Sequence, residues 1–107
     1  MGMNGIFNNN YSVNAETVVY TNASDKSALI LNMQVSRDAS NASTISMWIA
    51  DESNNKMGVY LPTNTPLEAY EVISDTDKHI VPPGHKIVFK CSHAGNYIEL
   101  AIYEGLD

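Results

Sequence analysis

The sequence is poor in charge, and poorer still in positive charge. Charged residues fill 17% of its 107 positions, where about 25% is usual. Six Lys and Arg stand against twelve Asp and Glu, a formal net charge of −6. Proteins that hold nucleic acid through its phosphates present a basic face. None is visible, so neither DNA nor RNA is expected as a partner, and an anionic membrane surface is set aside for the same reason. There is one cysteine, Cys91, so no intrachain disulfide can form. No apolar run approaches the ~20 residues that cross a bilayer. The opening Met1–Phe7 has no basic flank and no long apolar core. A secretory leader is therefore not expected, and cytoplasmic synthesis is the default. No stretch spaces apolar residues at the helical period over three turns, so little or no helix is expected. A Gly-rich phosphate loop, Gly-x-Ser-x-Gly and His-Glu-x-x-His are all missing. No catalytic, cofactor-binding or metal-ligating residue is assigned, and the expectation is a protein that is not an enzyme.

What is present is period-two alternation. Residues 1–14 are rich in Asn and Gly and predict an extended N-terminal arm or a loosely held edge. Residues 15–107 predict one β-sandwich domain. Thr17–Thr21 is dense in β-branched and aromatic side chains. Over Ala28–Ser36 the alternation places Leu29, Leu31, Met33 and Val35 on the core face, with Asn32, Gln34 and Ser36 opposite. Thr44–Ala50 points Ile45, Met47 and Ile49 inward and Trp48 outward. Asn54-Asn55 suits a hairpin turn. Met57–Leu61 reads as a short strand ending at Pro62, with a loop to Pro66. Leu67–Ser74 reads as a further strand. Pro82-Pro83-Gly84 predicts a type II turn, Pro83 setting the second position and Gly84 supplying the positive φ of the third. It launches a strand with Ile87, Phe89 and Cys91 on one face. Gly95-Asn96 reads as a two-residue hairpin turn before a last strand, with Ile98, Leu100 and Ile102 inward and Tyr97, Glu99, Ala101 and Tyr103 outward. About seven or eight short strands separated by turn signals indicate an all-β antiparallel sandwich, jelly-roll or Ig-like.

The chemistry-bearing residues do not cluster. His79, His85 and His93 have no zinc-ligand spacing and read as turn or solvated histidines, a cupin-like metal site being the distant alternative. Asp51-Glu52 and Asp75-x-Asp77 read as loop solvation, without the oxygens that calcium requires. Asn22-Ala23-Ser24 and Asn41-Ala42-Ser43 match the glycosylation acceptor and read as turns. Cys91, in an apolar run, reads as a buried small hydrophobe. The candidate interface residues are the outward aromatics Trp48, Tyr97 and Tyr103, for a protein partner or, alternatively, a sugar.

Several short motifs carry a family resemblance. An early strand ends in Tyr20-Thr21, and two core strands follow at Ala28–Ser36 and Thr44–Ala50. Tyr60-Leu61-Pro62 closes another strand. Ile80-Val81-Pro82-Pro83-Gly84-His85-Lys86 leads into the next, and Ile98–Glu104 ends on an acid. Over Glu16–Leu106 the chain resembles small β-sandwich structural proteins of bacteriophage virions. His85 stands where that family often has Asp. The resemblance implies a component of the capsid, neck or tail, located in the virion, made in the host cytoplasm and acting as a homo-oligomer among other virion proteins. It transfers no catalytic residue and no cofactor. The alternative expectation is a carbohydrate-binding or adhesin module.

Overall fold

A computed structural model describes residues 2–8 and 15–106, residues 2–8 and 106 by their backbone. Nine strands occur among the described residues: β1 (Gly2–Asn8), β2 (Thr17–Thr21), β3 (Ser27–Arg37), β4 (Ser43–Ala50), β5 (Lys56–Leu67), β6 (Val72–Asp75), β7 (His79–Val81), β8 (Lys86–Cys91) and β9 (Asn96–Leu106). Of the stretch expected as an arm, Gly2–Asn8 is the strand β1, while residues 1 and 9–14 lie outside the described residues.

The strands form two antiparallel sheets. Sheet A runs β1-β9-β3-β6, with β7 also on β3, and sheet B runs β2-β8-β4-β5. β6 pairs with Met33–Ser36 and β7 with Ala28–Ile30, so the two are collinear pieces of one broken strand. The chain alternates between sheets from β1 to β4, pairs β5 beside β4, then alternates back to β9. That is four antiparallel pairs wrapped into a roll, the jelly-roll order rather than the Ig-like one.

Alternation fixes the core. Ile45, Met47 and Ile49 of β4, Ile87, Phe89 and Cys91 of β8, and Ile98, Leu100 and Ile102 of β9 are all buried between the sheets. Truncating Phe89 there removes a fully buried ring, a change that costs about 3–5 kcal/mol in comparable cores.

Four local expectations are corrected. In β3, Leu31 is an extra residue, since Ile30 pairs with Ile102 and Asn32 already with Ala101. This bulge shifts the phase by one. Ala28 and Ile30 face inward before it and Met33 and Val35 after it, so Leu29 and Leu31 are not core residues. β5 does not stop at Pro62. It continues to Leu67 through a bulge of Pro62–Asn64 opposite Ser46, whose hydroxyl accepts the Asn64 amide at 3.1 Å. Prolines are tolerated because β5 is an edge strand. Leu67–Ser74 is not one strand. A turn over Glu68–Glu71, with Tyr70 at φ 58°, separates the end of β5 from β6. Gly95-Asn96 is not a hairpin turn, because β8 and β9 belong to different sheets and the connection crosses between them.

The Pro83-Gly84 turn forms as the sequence indicates: the His85 amide donates to Pro82 O at 3.1 Å, and Gly84 has φ 77°. It is held by Asn22, a buried side chain that the alternation leaves unremarked. Asn22 Nδ2 donates to Lys26 O at 2.8 Å and Val81 O at 2.9 Å. Its Oδ1 accepts from Ser24 N and Oγ, and its backbone exchanges bonds with Gly84 and His85. At the opposite end Arg37, 3% exposed, donates to Asn41 O, Asn41 Oδ1, Ala94 O and Asn96 Oδ1 at 2.6–3.0 Å. Asn22→Ala strands the buried Val81 carbonyl and frees the turn. A loss of about 2–3 kcal/mol is expected in urea unfolding monitored by far-UV circular dichroism.

Candidate functional site

The sandwich presents two outer faces, set by strand register. On sheet B the outward residues form a continuous apolar row. Val88 pairs with Val18 on one side and Trp48 on the other, and Trp48 pairs with Val59. The ends of the row are open, Val18 at 48% and Val59 at 54% exposed. Its middle is covered: Trp48, Ala50 and Val88 form a small cluster apart from the core. Lys56 Nζ lies 4.5 Å from the Trp48 ring centroid, so its ammonium sits over the ring. Trp48 thus points outward as the alternation requires, yet is only 8% exposed.

Lysines flank the row. Lys86 pairs with Ala50 and Thr21 on one side, and Lys90 pairs with Ser46 on the other. Lys56 and Lys90 edge a shallow hollow of about 240 Å³ floored by Trp48 and lined also by Glu16, Asn54 and Thr63.

Sheet A is different. Its outward residues form two apolar rows, Val72–Ser36–Tyr97 and Ile80–Leu29–Tyr103, with Ser74–Gln34–Glu99 between them. Val72, Ile80, Tyr97 and Tyr103 are all exposed. Among the described outward positions of β3, β6, β7 and β9, Glu99 is the one charged side chain. Tyr97 and Tyr103 therefore share a face, whereas Trp48 lies on the opposite one. The three expected interface residues form no common platform for a sugar.

The titratable groups stay dispersed. His79 Nε2 is 3.1 Å from Asp75 Oδ2, and its ring lies 4.5 Å from that of Tyr60. His85 Nδ1 is 3.1 Å from Pro83 O, and His93 Nδ1 is 3.0 Å from Ser92 Oγ. Ser92 and Thr44 exchange two bonds, Ser92 N to Thr44 O and Thr44 N to Ser92 Oγ, so this serine closes the β4–β8 ladder. Among the described residues no three His, Cys, Asp or Glu side chains lie close enough to share a metal. Burial pushes the Cys91 thiol up. The Asp51 carboxylate is held below its usual range, chiefly by the Asn55 amide, as it closes the β4–β5 hairpin.

Two tyrosines near the sheet margins link protonation to stability. Tyr20 Oη donates to Glu104 Oε2 at 2.6 Å, joining the two sheets. Burial first, and then the carboxylate, raises its pKa. Tyr60 Oη is buried without a hydrogen-bond partner among the described residues, and burial pushes its pKa up to about 12. Both phenols ionise near 10 in an unfolded chain. The folded protein holds these protons more tightly, so their stabilisation is full below about pH 10 and is lost as pH rises from there. Tyr60→Phe removes an unsatisfied hydroxyl. Its stability at neutral pH should match the wild type or exceed it by up to about 1 kcal/mol, with a shallower fall in melting temperature between about pH 10 and pH 12.

Trp48 is the single tryptophan, so its emission reports the sheet B face directly. Lys56→Ala should shift that emission to the red, increase acrylamide quenching and cost about 0.5–1 kcal/mol. Unchanged quenching would mean that the lysine does not shield the ring. No family model matches this chain, and no curated protein and no solved structure matches it either.

Proposed function

We propose that this chain is a non-enzymatic structural component of a bacteriophage virion, a capsid, neck or tail accessory protein that works through protein–protein contacts. The observation that carries the reading is the outer face of sheet A. Half of the large hydrophobics exposed among the described residues, Val72, Ile80, Tyr97 and Tyr103, lie on it around one charge. Exposed apolar side chains gathered on one face mark an interaction surface more than scattered ones do. Tyrosine is enriched at such surfaces because it combines area with a polar tip. The jelly roll is an architecture used by capsid and lectin domains, which supports the reading at the level of fold. The short motifs from Tyr20-Thr21 to Glu104 support the phage assignment.

The expected role is tested on particles. Quantitative mass spectrometry of gradient-purified virions should find this chain at a fixed ratio to the major capsid or tail protein. Ile80→Asn with Tyr103→Asn should reduce incorporation at least about tenfold while leaving the melting temperature within a few degrees. Particles lacking the wild-type chain would overturn the assignment.

A further inference from the structure

The proposed contact face is sheet A, which leaves the outer face of sheet B without a task. That face holds a groove. β4 is a central strand, and its outward residues Thr44, Ser46 and Trp48 stand in line, about 14 Å from first to last at ~3.4 Å per residue. Two adjoining hollows follow this line, and both are lined by Ser46, Thr63 and Lys90. One, of about 240 Å³, is floored by Trp48 and bordered by Glu16, Asn54 and Lys56. The other, of about 130 Å³, runs on to Thr44, Asn64 and Ser92. The Pro62–Asn64 bulge of β5 forms one bank, and Lys90 of β8 stands on the other. Most polar groups here are not spent on the protein. Among the described residues, the side chains of Thr44, Asn54, Thr63 and Asn64 have no hydrogen-bond partner, and neither Lys90 nor Glu16 has an ion pair. Lys56 meets the Trp48 ring alone.

We infer that this groove binds a short acidic oligosaccharide, one ring at the Trp48 end with its anionic group held by Lys56 and Lys90. Hydroxyls and carboxamides both donate and accept, as a sugar hydroxyl does, so Thr44, Ser46, Thr63 and Asn64 suit a ligand edged with hydroxyls. A peptide backbone finds no ladder to join, because β4 and β8 are each paired on both sides. The larger hollow is smaller than the ~300–1,000 Å³ of a drug-sized pocket. It takes a single ring, and the rest of the chain lies along Ser46 and Thr44. Two lysines against Glu16 leave this hollow one charge positive on a chain of net charge −6, which favours an anionic ligand. Glu16 is then the acceptor for a ring hydroxyl. Trp48 supplies the apolar platform. In the empty protein the Lys56 ammonium covers it. A carboxylate or sulfate is a stronger partner for that ammonium than the ring is, and Lys56, exposed at the start of β5, moves to it and uncovers the indole. Sheet A takes no part, so this site and the virion role stand or fall separately.

Titration of the isotope-labelled full chain, followed by amide and indole NMR, tests this with sodium trigalacturonate, a heparin-derived tetrasaccharide, neutral maltotriose, and succinate as a carboxylate without a ring. At up to about 10 mM, at least one acidic saccharide should move the Trp48 indole resonance and the amides of Ser46 and Lys90. It should bind at least about tenfold more tightly than maltotriose or succinate. The better of the two acidic probes tells a carboxylate site from a sulfate site. Lys90→Ala should weaken binding about tenfold or more. Lys86→Ala, on the same face but outside both hollows, should leave it unchanged. Far-UV circular dichroism checks folding, and Thr63→Ala, at an exposed position, is the second groove variant if Lys90→Ala unfolds. No shift with either acidic saccharide overturns the inference, as does maltotriose binding equally well or binding that survives Lys90→Ala. Succinate matching the saccharides overturns it too, and assigns the groove to simple anions.

Discussion

A chain that alternates between two sheets must cross the end of its own core at nearly every connection, and each crossing brings backbone polar groups beside apolar side chains. Those groups need partners, because an unsatisfied buried donor or acceptor costs more than most single contacts return. The molecule meets this constraint with two side chains. Asn22 fastens the β2–β3 loop to the turn before β8 at one end, and Arg37 fastens the β3–β4 loop to the β8–β9 loop at the other. Arg37 bonds there to amide and carbonyl oxygens, a geometry suited to its planar fork of donors. With both ends fastened, the strands between them hold the register that sets the outer rows.

Much of this was legible in the residues. Inward apolar side chains at every second position located β4, β8 and β9 and their core faces, because that period is a property of the extended backbone. Pro83-Gly84 located its turn because the two residues fix the dihedral angles it requires. What the alternation could not reveal was any event that adds a residue without altering composition. The Leu31 bulge is invisible in a run of Leu, Ile and Leu, where either phase looks apolar. The passage of β5 through Pro62 and Pro66 depends on its lying at an edge, which is a property of neighbours rather than of sequence. Gly95-Asn96 resembles a hairpin locally, and only the sheet assignment of β8 and β9 shows that it crosses the sandwich. Asn22 reads as an ordinary turn residue and Arg37 carries no local signal, since Val81 and Ala94, which they bond, lie 59 and 57 positions away.

The aromatic residues illustrate the same limit at the surface. Alternation gave the correct direction for Trp48, Tyr97 and Tyr103, but direction along one strand does not say which sheet a strand joins. The sheet order places the tryptophan and the tyrosines back to back. It also shows why their surroundings differ. Trp48 lies under the Lys56 ammonium, which takes the place of solvent on the ring. The tyrosines stand on a face whose described outward residues carry the single charge of Glu99. One face is therefore shielded and cationic, the other open and close to neutral.

The margins of the sheets have a further consequence. β5 carries two prolines and a bulge, β2 is five residues long with a bulge at Val19, and β6–β7 is broken in the middle. These three of the four borders lack the long, regular ladder of free amides and carbonyls that another chain needs in order to add as a strand, whereas the fourth, β1, is an unbroken seven-residue strand. Sideways growth into cross-β fibres is thereby disfavoured along these three borders, and β1 is the border where it has the most ladder to use.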